Sequence, residues 1–385
     1  MESSQLSSFM KKIFYASKKL LVPCGEGGGE VIAFDLLSEI ERKQQGLVKA
    51  FGSFEYLKLE RLTAQLHATK TSFHLAQEGA ECASRDGQKF TYPSFAHVTY
   101  TMPGAYATTL ARDDHYFISL DHYLGQYKPD ICLLQAEGYY ESWQMLQHIP
   151  ACKTFLYVQN GYEVQRFKEQ KVKLPLLLAN SKFVQNKVRS ENGLHAELLY
   201  PAICADRYVV KDDERKPHAR FTVLFINPVP VKGLEIFIHM ARHMPDVQFI
   251  VVEGWGPISQ ELYELFQRLK NIQYVPKTWN MREVYQAADL LIAPSQWEEA
   301  FGRVVVEAHA ARLPTLVSDI GGLPEASGEA GFIEYDYRNP DAWVRHIRHL
   351  MNNLPLIEEK RVHFSRNVER FDPAALAQRF MELAG

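Results

Sequence analysis

Short runs rich in Val, Ile and Phe recur through the second half of the chain, at 221–227, 247–253, 272–275, 289–294, 314–318 and 331–334. Between most of them the apolar residues switch to helical spacing. Leu234, Ile238, Met240 and Ala241 form one such stripe, and Leu262, Leu265, Phe266 and Leu269 another. Buried extended runs alternating with amphipathic helices predict a parallel, doubly wound sheet. Sheets of this kind take ligands in the crevice beyond the carboxyl ends of their strands.

The first half repeats the alternation less cleanly. Its candidate strands are 12–16, 97–101, 130–134, 154–158, 176–179 and 197–200. The stretch 67–92 is polar and fits neither period, so it reads as an insertion or a mobile acceptor loop. The charged stretch 210–217, which ends in Pro217, reads as an exposed linker. Two domains are expected, 1–214 and 215–365, followed by a closing segment 366–385. Asp372 and Pro373 suit the N-cap and first turn of a final helix.

Length and composition agree with this division. A chain of 385 residues exceeds one ordinary domain, and 46% hydrophobic with 23% charged residues is an ordinary globular mixture. No run approaches the roughly 18 uncharged apolar residues of a membrane span. Lys11, Lys12, Lys18 and Lys19 interrupt the amino-terminal apolar positions, so no export signal is read there and a cytoplasmic location is expected. Five scattered cysteines, Cys24, Cys82, Cys132, Cys152 and Cys204, form no CxxC pair, which argues against a disulfide framework or zinc site. A net charge of −3 gives no nucleic-acid footprint.

The chemistry concentrates in one segment, Glu299-Ala-Phe-Gly-Arg-Val-Val-Val-Glu307. It follows a candidate strand and opens an apolar helix. Gly302 permits a tight turn there, and the helix start offers unpaired N–H groups to a phosphate. Glu307, more than one turn in, is a candidate acceptor for ribose hydroxyls. Glu299 precedes the helix at the crevice. Each glutamate alone reads equally well as a solvated helix-end residue. Two further glycine-bearing loops at successive strand ends weigh against that: Pro230-Val-Lys-Gly233, whose lysine is a point charge suited to a diphosphate, and Gly321-Gly-Leu-Pro-Glu325.

The order Lys232-Gly233, Glu253-Gly254, Glu-x7-Glu with Phe301-Gly302, then Gly-Gly-x-Pro-Glu resembles the retaining GT-B glycosyltransferases of family 4, specifically over about residues 221–335. Upstream the likeness is weaker. Gly27-Gly-Gly-Glu30 is similar to the glycine loop after the first strand of these enzymes. Leu177-Leu-Ala-Asn-Ser181 with Tyr200-Pro-Ala-Ile203 is similar to the unit that closes their first domain. The resemblance implies two Rossmann-like doubly wound α/β domains facing a cleft, with a carboxy-terminal helix crossing back. The amino-terminal domain would take the acceptor and the carboxy-terminal one a nucleotide-sugar donor.

It also implies roles for residues. Lys232 would neutralise the donor diphosphate and Glu299 would contact the transferred sugar, which makes these two the catalytic candidates. Glu307 would hold the ribose. Phe301, Gly302 and Arg303 would meet sugar and phosphate, and Val275 and Lys277 the base. Gly28, Gly29, Glu253 and Gly254 complete the implied donor set. Asn227 stands where the family commonly has an arginine, which removes one cation. Gln159-Asn160 stand where many members carry a histidine. No Asp-x-Asp pair stands at a strand end, and a metal-independent transfer is expected, with no resident cofactor.

Three rivals stand beside this reading. A nicotinamide-dependent enzyme would need glycines where Glu30 and Ile32 stand. A sugar-nucleotide epimerase or hydrolase, or a binding module without turnover, would share the fold. The acceptor, whether glycan, lipid, protein or small molecule, is not legible. The basic region of Arg166, Lys168, Lys171, Lys173, Lys182, Lys187 and Arg189 suits either a solvated helix face or peripheral contact with an anionic membrane.

Overall fold

A computed structural model of the chain describes residues 11–18, 21, 28–44, 47–54, 66, 71–75, 81–83, 89–91, 97–102, 104–112, 116–135, 143, 146, 152–159, 167, 174–211, 214, 219–278 and 280–385. Two compact units emerge. One comprises 1–180, 185–202 and 373–385, the other 181–184 and 203–372. The change-over lies ahead of the charged stretch at 210–217. Glu214 within that stretch accepts from the Arg282 guanidinium at 2.5 Å, and Arg282 also reaches the Val209 carbonyl at 2.7 Å. The part of the stretch that is described is therefore tied into the second unit rather than strung out as a linker.

The first unit is built on strands β1 (Ile13–Ser17), β2 (Val48–Phe54), β3 (Ser72–Leu75), β4 (Glu81–Ala83), β5 (Lys89–Thr91), β6 (His97–Thr101), β7 (Ala107–Arg112), β8 (Ile131–Gln135), β9 (Lys153–Val158), β10 (Leu176–Ala179) and β11 (Ala196–Leu198). Among the described residues, nine of these form one sheet in the order β11-β10-β9-β8-β1-β2-β7-β6-β3, and β4 pairs with β5 alone. The strands from β11 to β7 run parallel, while β6 and β3 add on antiparallel. The polar stretch 67–92 thus contains strands β3, β4 and β5, where the sequence pattern assigned none. The six candidate strands of this half are all present, but β2, which pairs with β1, and β7, which pairs with β2, have no counterpart in the sequence pattern.

The final helix, Pro373–Ala384, belongs to this first unit. Leu376, Ala377, Phe380 and Ala384 enter its core, and the Phe380 ring lies 5.5 Å from that of Phe155 on β9. The Lys11 ammonium closes the arrangement by donating to the carbonyl of Ala384 at 3.2 Å. Gly28 and Gly29, expected in a loop, are the first two residues of the helix Gly28–Gln44. Gly27 lies outside the described residues, as do Asn160 and most of the basic run 166–173.

The second unit holds β12 (Thr222–Ile226), β13 (Gln248–Val252), β14 (Ile272–Val275), β15 (Leu290–Ala293), β16 (Thr315–Ser318) and β17 (Phe332–Glu334), one for each apolar run of the sequence. All neighbours pair parallel, in the order β14-β13-β12-β15-β16-β17. Numbered within the unit this is 3-2-1-4-5-6, the dinucleotide-fold order, whose connections reverse direction between the first and fourth strands. One face of the sheet is closed by an aromatic cluster. Phe237 stacks on Phe225 at 4.8 Å and meets Phe249 edge-on at 5.6 Å. Trp343 from the helix Pro340–Met351 is fully buried beside them. No helix among the described residues is long and apolar enough to cross a membrane.

Candidate functional site

The reversal point of the second sheet lies between β12 and β15, so the loops that leave their carboxyl ends diverge and open a crevice. Lys232 leaves β12 in a short 3-10 turn, Pro230–Lys232, and Gly233 follows it in the left-handed region with φ 90°. A Cβ at Gly233 would stand 2.1 Å from the Pro294 carbonyl oxygen, so only glycine lets this turn lie against the end of β15. The Gln296 N–H donates to the Val231 carbonyl at 2.9 Å and joins the two loops. Glu299 comes from the β15 side.

Across this junction the Lys232 ammonium and the Glu299 carboxylate form a direct ion pair. Ser295 Oγ donates to the same carboxylate oxygen, Oε1, at 2.5 Å. Trp255 and Trp297 flank the ammonium, with ring centroids 5.0 and 5.5 Å from Nζ. The sequence pattern brought Lys232 and Glu299 forward as separate members of the site. It did not bring forward Ser295, Trp255 or Trp297, although Ser295 stands directly after the strand-ending proline.

Glu253, Gly254 and Trp255 leave β13. Tyr274 donates its hydroxyl to Glu253, and desolvation, reinforced by this bond, pushes the Tyr274 pKa up to about 12. Val275 ends β14, its carbonyl accepting from the Glu253 N–H at 3.0 Å, and Lys277 follows two residues on. Asn227 is buried and sits at φ 67°, a conformation asparagine tolerates better than most side chains. Its carboxamide oxygen accepts the Trp255 N–H at 3.2 Å.

Gly302, at φ 107°, turns the chain into the helix Arg303–Ala310. Phe301 before it is buried against Phe371, with rings 5.0 Å apart. On the helix, Glu307 is buried and doubly engaged: Arg303 Nε donates to Oε1 at 2.5 Å and Tyr285 to Oε2 at 2.7 Å. Arg303 also reaches the Tyr208 hydroxyl at 3.3 Å. The Tyr285 pKa is driven well up, by burial first and then by the neighbouring carboxylate. Glu307 is therefore fixed in direction by protein groups, and a ribose would share a carboxylate that still has lone pairs to offer.

The next loop, after β16, serves the first. Gly322 N–H donates to the Glu299 carbonyl at 2.7 Å. Glu325, last of its motif, accepts the backbone N–H groups of Lys182 and Phe183 at 3.0 and 3.3 Å, and so caps the helix Lys182–Asn192. Ser181 Oγ donates to the Ala300 carbonyl at 2.5 Å. Eleven of the expected donor residues thus lie toward the carboxyl edge of one sheet: at the end of β14, on the loops after β14, β13, β12 and β15, and on the helix Arg303–Ala310. Gly28 and Gly29 belong to the other unit.

His309, two residues beyond Glu307 on the same helix, belongs to a buried polar cluster. His309 Nε2 pairs with Thr315 Oγ1 at 3.0 Å, and Asn367 Nδ2 donates to His309 Nδ1 at 2.9 Å. Desolvation lowers the His309 pKa to about 3. A folded value below the unfolded one, about 6.5, means that the neutral ring contributes stability above pH ~6.5. That stability falls by roughly 1.4 kcal/mol per pH unit as the pH drops from about 6.5 toward the folded pKa. The melting temperature should therefore fall on acidification from pH 7 to 5. The fall should be shallower in His309→Gln, whose amide cannot charge. Parallel melting curves for the two proteins across that range would rule His309 out.

Residues 207–371 match the family described as Glycosyl transferases group 1. The spore coat protein SA of Bacillus subtilis (strain 168) is 29% identical over 154 residues, 35% of this chain and 41% of that protein. The D-inositol 3-phosphate glycosyltransferase of Streptomyces bingchenggensis (strain BCW-1) is 26% identical over 233 residues, 52% of this chain and 51% of that one. The chain thus spans about half the length of the curated relatives it matches, or less. The structure of Anabaena HepE in complex with UDP and glucose superposes with a TM-score of 0.70 at 15% identity, over 97% of this chain and 99% of that one. The sucrose-phosphate synthase of Thermosynechococcus elongatus does so with a TM-score of 0.72 at 14% identity, over 97% and 98%. The chain has the GT-B fold, and its residues 207–371 match the glycosyl transferases group 1 family.

Proposed function

We propose that this protein transfers a sugar from a nucleoside-diphosphate sugar to an acceptor, with retention of configuration and without a metal. The observation that carries the reading is the meeting of Lys232 and Glu299 at the reversal point of a 3-2-1-4-5-6 sheet, a cation for a diphosphate beside a carboxylate for sugar hydroxyls. Residues 215–365 would bind the donor, 1–214 the acceptor, and 366–385 would return to the acceptor side. In the transfer, the bond from the anomeric carbon to the phosphate oxygen breaks. The acceptor oxygen attacks the same face, and its proton passes to the departing phosphate. Charge that grows on the diphosphate would be met by Lys232 and by the N–H groups at the start of the Arg303–Ala310 helix.

Calorimetry with UDP-, GDP- and ADP-sugars, followed by transfer and hydrolysis assays with the donor that binds, tests this directly. UDP-glucose is the first to try, because HepE has been solved in complex with it. Activity should persist in excess EDTA. Loss with chelator and return with Mn²⁺ or Mg²⁺ would overturn the metal-free part. Binding without any turnover would favour a module that only holds the donor.

The ribose role of Glu307 has its own test. Glu307→Ala should weaken donor affinity ten- to hundred-fold, the scale of one or two hydrogen bonds to a charged acceptor, about 1.5–3 kcal/mol. It should also lower the melting temperature, since the Arg303 guanidinium would lose its buried partner. Glu307→Gln keeps the size and hydrogen-bonding capacity but not the charge, so it should lose less stability than the alanine variant and still lose about ten-fold in affinity. Unchanged nucleotide affinity in the glutamine variant would remove Glu307 from the site.

A further inference from the structure

We infer that Trp255 is a positioning residue for Lys232: its indole fixes and partly desolvates the ammonium that would meet the donor diphosphate, and Asn227 is what holds Trp255 there. The inference rests on the donor-site reading above. Its starting point is the place where the resemblance leads one to expect a second cation and the chain has Asn227 instead.

Asn227 is held by its own backbone, whose N–H donates to the Val252 carbonyl at 2.8 Å, and by its left-handed φ of 67°. From there the carboxamide oxygen accepts the Trp255 N–H at 3.2 Å. Gly254 makes the arrangement possible. A Cβ at that position would stand 2.5 Å from Cβ, Cγ and Oδ1 of Asn227. The Gly254-Trp255 turn therefore folds directly over the asparagine, and the indole comes to lie with its centroid 5.0 Å from Lys232 Nζ.

Trp297, from the loop after β15, brings a second indole to 5.5 Å from the same nitrogen. The two rings meet at 72° with centroids 5.9 Å apart, so they form a corner rather than a stack. The ammonium sits in that corner with the Glu299 carboxylate as its third neighbour. Trp255 and Trp297 are 45% and 38% exposed, whereas the Lys232 side chain they flank keeps only 17%.

A lysine ammonium is strongly hydrated and rides on a flexible four-carbon stem. Both properties weaken it as a partner for phosphate: hydration must be shed and rotamers frozen as the ligand binds. An aromatic corner removes part of that hydration beforehand, compensates it through the ring quadrupoles, and restricts the stem. One ammonium prepared in this way does more for a diphosphate than one left in solvent. That offers this chain a means of working with a single cation on this side of the site.

Full-length protein is titrated calorimetrically with UDP, GDP and ADP, and the diphosphate that binds is compared with its nucleoside. Trp255→Leu removes the quadrupole and keeps an apolar side chain at a half-exposed position. It should weaken the diphosphate about ten-fold, within the range of a cation–π contact, and leave the nucleoside unchanged. Trp255→Phe should recover most of the loss. In a Lys232→Met background Trp255→Leu should cost nothing further, because its effect passes through the ammonium. Equal loss for nucleoside and diphosphate, the same loss without Lys232, or no recovery with phenylalanine would each overturn the inference. If wild-type protein binds none of the three diphosphates, the donor-site reading falls and this inference with it. If it binds one and Trp255→Leu binds equally well, the inference alone falls.

Discussion

Lys232→Ala should lower kcat by about a hundred-fold or more, while the affinity for the nucleotide-sugar should fall by less. The asymmetry follows from where the charge goes. As the anomeric carbon–oxygen bond breaks, negative charge accumulates on the diphosphate, so a cation beside it binds the transition state better than the ground state. Loss of one preorganised group of this kind costs about 10²–10³ in rate, or roughly 2.7–4 kcal/mol. The ammonium has three N–H groups, so it can retain Glu299 while donating to phosphate. Glu299, its orienting partner, would then also be the group aimed at the sugar. Steady-state kinetics of wild type and variant give the test. Near-normal turnover would mean that a different cation serves the phosphate. Arg303 is a poor substitute, because its guanidinium is engaged by Glu307 and Tyr208. Lys277, beyond the end of β14, would be examined next, through Lys277→Ala.

The second unit was far more legible in the sequence than the first, for a physical reason. Its four inner strands are buried on both faces and read as apolar runs, as in Phe249-Ile-Val-Val252 and Leu290-Leu-Ile292. The strands missed in the first unit carry different chemistry. Val48-Lys-Ala-Phe-Gly-Ser-Phe54 is broken by Lys49 and Gly52, and Ala107-Thr-Thr-Leu-Ala-Arg112 has one large aliphatic residue. Yet these two strands pair with each other beside β1, and Phe51, Ala50 and Leu110 are fully or almost fully buried. Neighbouring aromatics supply the apolar surface the strands lack: Tyr116 lies 5.4 Å from the Phe51 ring.

Lys232 and Glu253 were legible because each stands past a strand end directly beside a glycine, and Glu299 and Glu307 because they bracket the Phe301-Gly302 turn; both are local signals. Their partners were not, because partnership is set by topology. Tyr285 is 22 residues from Glu307, and Glu325 is 143 from Lys182, whose helix it caps. Asn227 was legible only as a missing arginine. That it holds the Gly254-Trp255 turn depends on a left-handed φ and on the parallel neighbour β13, and neither has a counterpart in composition or spacing.

Gly321→Ala should cost at least a hundred-fold in kcat/KM, although Gly321 carries no functional group. At φ 61° an alanine here is strained by about 1 kcal/mol before any contact is considered. The contacts are worse. The added Cβ would lie 2.4 Å from the Glu299 carbonyl oxygen, 2.6 Å from its nitrogen and 3.0 Å from the Glu298 carbonyl carbon. All three are backbone atoms, which cannot swing away as a side-chain end can. Relief requires the loop after β15 to retreat, carrying Glu299 with it and pulling its carboxylate off Lys232 and Ser295. A misplacement of about 1 Å in a reacting constellation costs on the order of 10²-fold. Gly193→Ala supplies the control. Gly193 has a similar φ, 68°, but a Cβ there meets nothing within 4 Å, so it carries the strain without the clash. The two variants should lose comparable stability from strain, with an additional fall in melting temperature for Gly321→Ala, and only Gly321→Ala should lose activity. If the two proved equally active, the loop after β16 would not be what holds Glu299, and the geometry of the Lys232–Glu299 pair would have to rest on the β12 and β15 loops alone.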